Sequence, residues 1–258
     1  MKLKSRIKLN INGDTYTDMS FRQLPKDEKR HEIKKFAVKL TLYILGFIIL
    51  AFGITFAINS NLGISPVNSL PFAISAVTGI RMGICVTAVL IFYMLLQIIL
   101  LRKEFRLIDF TQILISVIFG LFVDGAIFIM GDFSFPTYAG QLAMLAISIT
   151  LVAFGLPLYL DTNLMRMPIE ALTFAIVKKL QKSSFHQVKV IMDCTLVLIA
   201  AALTYFVLGE VVGVREGTVL SAIFIGKLIP FNRKILIWIL RKLGVYELIY
   251  NLHQNLAL

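Results

Sequence analysis

The chain has 258 residues, of which 58% are hydrophobic and only 16% charged, against roughly 25% charged in average soluble proteins. The apolar excess lies in long runs, and a run of about 18 or more residues can cross ~30 Å of hydrocarbon. A soluble domain is excluded, and the net charge of +11, placed beside apolar runs, is an orientation signal rather than a nucleic-acid surface.

Residues 1–35 form a polar tail with ten Lys or Arg and five Asp or Glu. Within it RIKLNINGDTYT alternates apolar and polar residues around Asn12-Gly13, which predicts a hairpin. Pro25-Lys26-Asp27-Glu28 has the Pro and acids of a helix start. No apolar core with a small-residue cleavage site follows the start, so no cleavable signal peptide is expected.

Long apolar segments follow at Phe36–Ser60, Met82–Leu101, Ile108–Met130, Tyr138–Thr162 and Val188–Leu208, with a short sixth at Thr218–Ile229 that holds Lys227. Pro66–Thr78 and Pro168–Leu180 read as short helices, too short to cross a bilayer. Past Pro230, apolar residues punctuated by charge predict an interfacial helix. The fold class is therefore all-α: a polytopic membrane protein of about six transmembrane helices and two broken or re-entrant half-helices. Its parts are a tail (1–35), a first membrane repeat (36–131), a second (132–231) and a C-terminal interfacial helix (232–258).

Basic residues gather in the tail, in Arg102-Lys103-Glu104-Phe105-Arg106, around Lys178, Lys179, Lys182 and Lys189, and at Arg233, Lys234, Arg241 and Lys242. The segments around Asn61–Ser65, Asp132 and Glu210–Glu216 are poor in them. Positive-inside counting puts the first group, with both termini, in the cytoplasm, provided the short helices do not cross.

Residues 51–75 laid over 153–177 share ten identities in 25, including Asn61 with Asn163 and Pro66 with Pro168. Thr111-Gln112 and Gly120 fall over Gly217-Thr218 and Gly226. Two copies with three spans each run upside down relative to one another, a plan that in transporters puts the substrate site near the midplane.

The arrangement NLGISPVN, then SVIFGLFVD, then VREGTVLSAIFIGKLIP resembles the YczE/YyaS/YitT family of bacterial membrane proteins, over Phe36 to Pro230. The resemblance implies a multi-pass protein of the bacterial cytoplasmic membrane. Two positions after the first Pro the family usually has Asp, where this chain has Asn68 and, in the second half, Glu170. Asp124 resembles the acidic position of the family's GLF-D motif.

The candidate substrate-binding residues are Asn61, Ser65, Asn68, Asn163, Glu170 and Asp124. Pro66 and Pro168 suit the first position of a half-helix, Ser65 can cap the first, and Asn68 and Glu170 can reach back to the chain. Simple capping of a re-entrant turn explains the same residues. Acidic residues inside a membrane are costly and usually have a reason. Lys189 and Asp193, four apart, form a candidate buried ion pair. Asp161 and Arg166 flank the second turn near the cytoplasmic side, as a candidate gate pair or as simple interfacial residues.

Cys85 and Cys194 read as packing residues, and the three histidines are too dispersed for a metal cluster. No nucleotide, hydrolase or metalloprotease motif occurs, so neither enzyme nor cofactor is expected. The expected partners are the bilayer, anionic lipid at the basic tail and a small polar solute or ion, with no nucleic acid and the oligomer left open. The leading expectation is a small-solute transporter. The alternative is a non-transporting assembly or regulatory factor acting through its cytoplasmic tail.

Overall fold

A computed structural model describes residues 6–11, 15–20, 26–181 and 184–246. In the tail, β1 (Arg6–Ile11) and β2 (Thr15–Ser20) pair antiparallel with Ile11 opposite Thr15, as the alternation predicts. The turn at Asn12-Gly13 lies outside the described residues. Eight helices follow: α1 (Lys26–Ser60), α2 (Pro66–Thr78), α3 (Met82–Leu101), α4 (Thr111–Met130), α5 (Tyr138–Leu160), α6 (Pro168–Leu180), α7 (Phe185–Leu208) and α8 (Glu216–Lys242). The chain is an all-α polytopic membrane protein.

Five helical segments are long and apolar enough to cross a membrane, in α1, α3, α4, α5 and α7. α2 and α6 have 13 residues each, about 20 Å at helical rise, which falls short of a bilayer. α1 begins within the expected tail, so the tail's last ten residues, 26–35, are helix.

The C-terminal part differs from expectation. Instead of a short span ending before Pro230 and a separate interfacial helix, α8 is one helix of 27 residues running through Pro230. A proline removes one backbone donor and crowds the preceding turn, but membrane helices tolerate it where neighbours support the chain. Here α8 lies along α5, anchored by the Gly217 amide on the Leu62 carbonyl at 2.7 Å and by Arg233 on Asp161 at 2.9 Å.

The centre of the fold is the antiparallel crossing of α1 and α5. Gly46 meets Tyr159 and Gly155, and Gly53 meets Val152, so closely that a Cβ at either glycine would sit 2.9 Å or less from the partner helix. Small residues let membrane helices approach this way, because lipid supplies no hydrophobic drive for association. Phe47, packed on Phe119 and Tyr159 with ring centroids 5.2 Å apart in both cases, ties α4 into the same core.

α3 and α4 form a second close crossing through Gly83, Gly120 and Thr87. The short helices bridge between halves: α2 packs on α7, and α6 packs on α3.

Candidate functional site

The two turns that precede the short helices are built alike. Ser60 donates to the Ala57 carbonyl and accepts from the Leu62 amide; Thr162 donates to the Tyr159 carbonyl and accepts from the Leu164 amide. Asn61 and Asn163 follow with φ of 56° and 52°. Asn is among the residues that enter the left-handed region most readily. Both asparagines are exposed. The Asn61 carbonyl accepts from Arg215 at 3.0 Å, and Asn163 borders a separate polar vestibule with Gln97, Gln112 and Arg166. Their observed work is backbone reversal.

Beyond these turns, both short helices begin at one cavity of about 310 Å³. α2 contributes Ser65, Pro66 and Asn68, and α6 contributes Glu170 with Met167 before it. The opposite walls are Leu50 and Ile54 of α1, Val86 to Tyr93 of α3, Val152 and Leu156 of α5, His186, Lys189 and Asp193 of α7, and Ser221 to Ile229 of α8. From this cavity α2 leads toward the Arg81–Asp124 contact and α6 toward the Lys178–Glu104 pair.

Ser65 is the N-cap of α2, yet its hydroxyl does not cap a backbone amide. It accepts instead from the Asn68 side-chain amide at 2.9 Å, while the Asn68 amide nitrogen bonds the Ser65 carbonyl. Asn68 therefore reaches back as its position predicts, but to a side chain. Pro66 and Pro168 occupy the first helical position in both cases.

Glu170 and Tyr93 bring buried polar atoms to the cavity wall, and Glu170 is the acidic one. Its Oε2 is sealed from solvent, as are the hydroxyls of Tyr43 and Tyr159; the Tyr159 hydroxyl is the donor nearest the carboxylate, and Tyr43 lies within its electrostatic reach. An unpaired buried acceptor costs about 1–3 kcal/mol, more if charged. The site therefore favours a donor or a proton at Oε2.

Lys189 and Asp193 do form the expected pair, at 3.0 and 3.1 Å. It is half-buried, with side-chain exposures of 33% and 22%, and it faces the cavity, which makes these residues part of the site. His186, Lys189 and Asp193 are spaced three and four apart, one polar face on an apolar helix. That spacing is the signal which places α7 in the wall.

Asp124 lies elsewhere. Its Oδ1 accepts the Gly83 amide at 2.6 Å, and Arg81 is 3.9 Å from its other oxygen. It satisfies a free N–H in the first turn of α3 from a neighbouring helix, where a carboxylate is stabilised. Asp161 pairs with Arg233 rather than with Arg166; the Arg166 guanidinium stacks 4.1 Å over the Phe174 ring. Of the six candidates, then, Ser65, Asn68 and Glu170 converge on the cavity, and Asn61, Asn163 and Asp124 do not. Among the described residues no group of His, Cys, Asp or Glu could hold a metal ion.

Residues 37–234 match a family of unknown function, DUF6198, and the chain belongs to that family. It is 27% identical to the uncharacterized protein YyaS of Bacillus subtilis (strain 168) over 146 residues, 56% of this chain and 71% of that one. It is 26% identical to the uncharacterized membrane protein YczE of the same organism over 203 residues, 77% of this chain and 87% of that one. No solved structure matches the chain. The resemblance drawn from the turn and span motifs is thus borne out, and the protein is an integral membrane protein.

Proposed function

We propose that this member of the DUF6198 family is a small-solute transporter of the bacterial cytoplasmic membrane, with its substrate site between two inverted three-span halves and both termini in the cytoplasm. The observation that carries the reading is the start of both short helices at one cavity beside the central α1–α5 crossing. Pairs of interrupted helices meeting near the midplane are a recurring transporter device.

Three contact patterns support the inversion. The turns after α1 and α5 share their hydroxyl and asparagine geometry; α2 lies on α7 as α6 lies on α3; and α1 contacts α4 as α5 contacts α8. In this reading Ser65 and Asn68 hydrogen-bond the polar part of a solute. Glu170 supplies the acceptor that meets a solute donor or a coupling proton, and the Lys189–Asp193 pair holds the α7 wall. The chain carries out no covalent chemistry, and the driving force is a gradient.

The test is access to the cavity. With Cys85 and Cys194 replaced by Ser, a single cysteine at Asn68 is labelled by an impermeant thiol reagent applied to either face of sealed vesicles. A transporter exposes this position to each face in turn, so labelling is expected from both. Labelling from one face only, under every imposed pH and ion gradient, would overturn the reading and favour a factor working through its tail. Removal of residues 1–30 would then abolish activity, where a transporter keeps it.

A further inference from the structure

The cavity has one wall that is not closed. α3 and α4 seal against each other: a Cβ on Gly120 would run into the Gly83 carbonyl and the Thr87 hydroxyl, and Thr87 bonds the Ser116 carbonyl across the crossing at 3.2 Å. α7 and α8, third and fourth in the second half, make no comparable crossing. Gly226, which aligns with Gly120, has nothing within 4 Å of where its Cβ would be.

Both edges of this slit line the cavity and are also exposed: Val190 on α7, Ala222 and Gly226 on α8. In the six-span arrangement proposed above α8 crosses the membrane beside α7, so the exposed side of the slit faces lipid tails. Pro230 also takes away the helix donor for the Gly226 carbonyl, which leaves an acceptor at this edge.

We propose that the substrate is a single-chain amphiphile with an amine headgroup, entering sideways from the bilayer between α7 and α8. The inference rests on the transporter reading of the same cavity and names its substrate class. Charge complementarity selects the head. Within the cavity Lys189 is already paired with Asp193, so Glu170, which lines the same cavity, is the acidic group left to meet a cation. Size selects the rest. A volume of about 310 Å³, equal to roughly ten waters of bulk liquid, holds a head and a short piece of chain. The remainder of the chain lies in the slit, against Val190 and Gly226, with its end among the lipid tails. A fully hydrated solute gains nothing from such an opening, whereas an amphiphile keeps its chain out of water throughout.

The experiment uses the full chain in lipid nanodiscs, with Cys85 and Cys194 replaced by Ser and a single reporter cysteine at Asn68. Butylammonium and decylammonium are titrated as protectants against a soluble maleimide. Decylammonium is expected to protect at a concentration at least tenfold lower than butylammonium. Glu170→Gln should weaken both alike. Gly226→Trp, and independently Ala222→Phe, fill the slit and should cancel the tenfold advantage of decylammonium over butylammonium.

Equal protection by the two amines, or a chain-length gain that survives both slit-filling variants, overturns sideways entry and leaves the polar site standing. A disulfide between two copies of a Gly226→Cys variant overturns it as well, since the slit would then be a subunit interface. Failure of either amine to protect Asn68→Cys, in a variant that still labels from both faces, overturns the amine head. Loss of two-faced labelling itself defeats the transporter reading and this inference with it.

Discussion

The Ser148 hydroxyl on α5 donates to the Gly53 carbonyl on α1 across 2.7 Å, at a buried point where the two backbones nearly touch. That bond exists only because Gly53 has no side chain: a Cβ there would lie 2.8 Å from Val152. Gly53→Leu should therefore push the helices apart and break the hydrogen bond together. Overpacking costs about 1–3 kcal/mol, and the lost bond adds about 1 kcal/mol. The expected outcome is a clear drop in thermal midpoint in detergent, followed by size-exclusion of heated samples. Ser148→Ala alone should cost the smaller share. Equal effects of the two variants would mean that the crossing is not governed by backbone approach.

Asp124 separates a structural role from a transport role. As an acceptor for the Gly83 amide at the start of α3, it needs an oxygen there and no titratable proton. Asp124→Asn should keep the fold and the two-faced labelling of the cavity, whereas Asp124→Ala should lower stability by about 0.5–2 kcal/mol, the range for a lost helix cap. Melting curves of both variants in one detergent decide it. A stable Asp124→Asn protein that loses cavity access would return this residue to the mechanism.

The pair at the basic end offers a titration. Lys178 donates to Glu104 at 2.7 Å, and this hydrogen bond, with the lysine charge, holds the Glu104 carboxyl below its ordinary 4.5. A depressed folded-state value means that the stabilisation is present above the ordinary value and is lost as pH falls through the lowered one. Glu104 is solvent-exposed, so little effect on melting is expected, and the midpoint itself is the quantity to follow. With glutamate side chains labelled for NMR, Lys178→Met should move the Glu104 midpoint upward toward the ordinary value. An unmoved midpoint would show that the contact does not persist in the membrane.

Much of this architecture was legible because local rules set it. Pro66–Thr78 and Pro168–Leu180 appear with the expected ends, since Pro at the first helical position marks a start wherever it falls. The Lys189–Asp193 pair was legible because partners four apart on one helix need no tertiary information. What stayed hidden depends on long-range packing. Asp161 lies five residues from Arg166 but bonds Arg233, a choice made by the course of α8 along α5. That course also carries α8 through Pro230, where sequence alone argued for a stop. The shared asparagines were visible as a repeat, but whether such a residue serves its side chain or its φ angle is decided by the turn. Which polar groups meet in one cavity was likewise set by the α1–α5 crossing, whose glycines carry no chemistry of their own.

The sharpest test of the architecture is the sidedness of the two turns. Positive-inside counting places the Asn61–Ser65 turn toward the exterior and the turn with Asn163 and Arg166 toward the cytoplasm. The two turns should thus open to opposite faces although they share their geometry. Single cysteines at Ser65 and at Arg166, in a chain with Cys85 and Cys194 replaced by Ser, are labelled in intact cells with an impermeant thiol reagent. Ser65 lines the cavity and is half-buried, and Arg166 is exposed, so both are within reach of a reagent on the correct side. Position 65 should label from outside and position 166 only after permeabilisation. Labelling of both from outside would require α2 or α6 to cross the membrane, and at 13 residues each neither is long enough. That outcome would therefore overturn the inverted arrangement and the placement of both short helices at once.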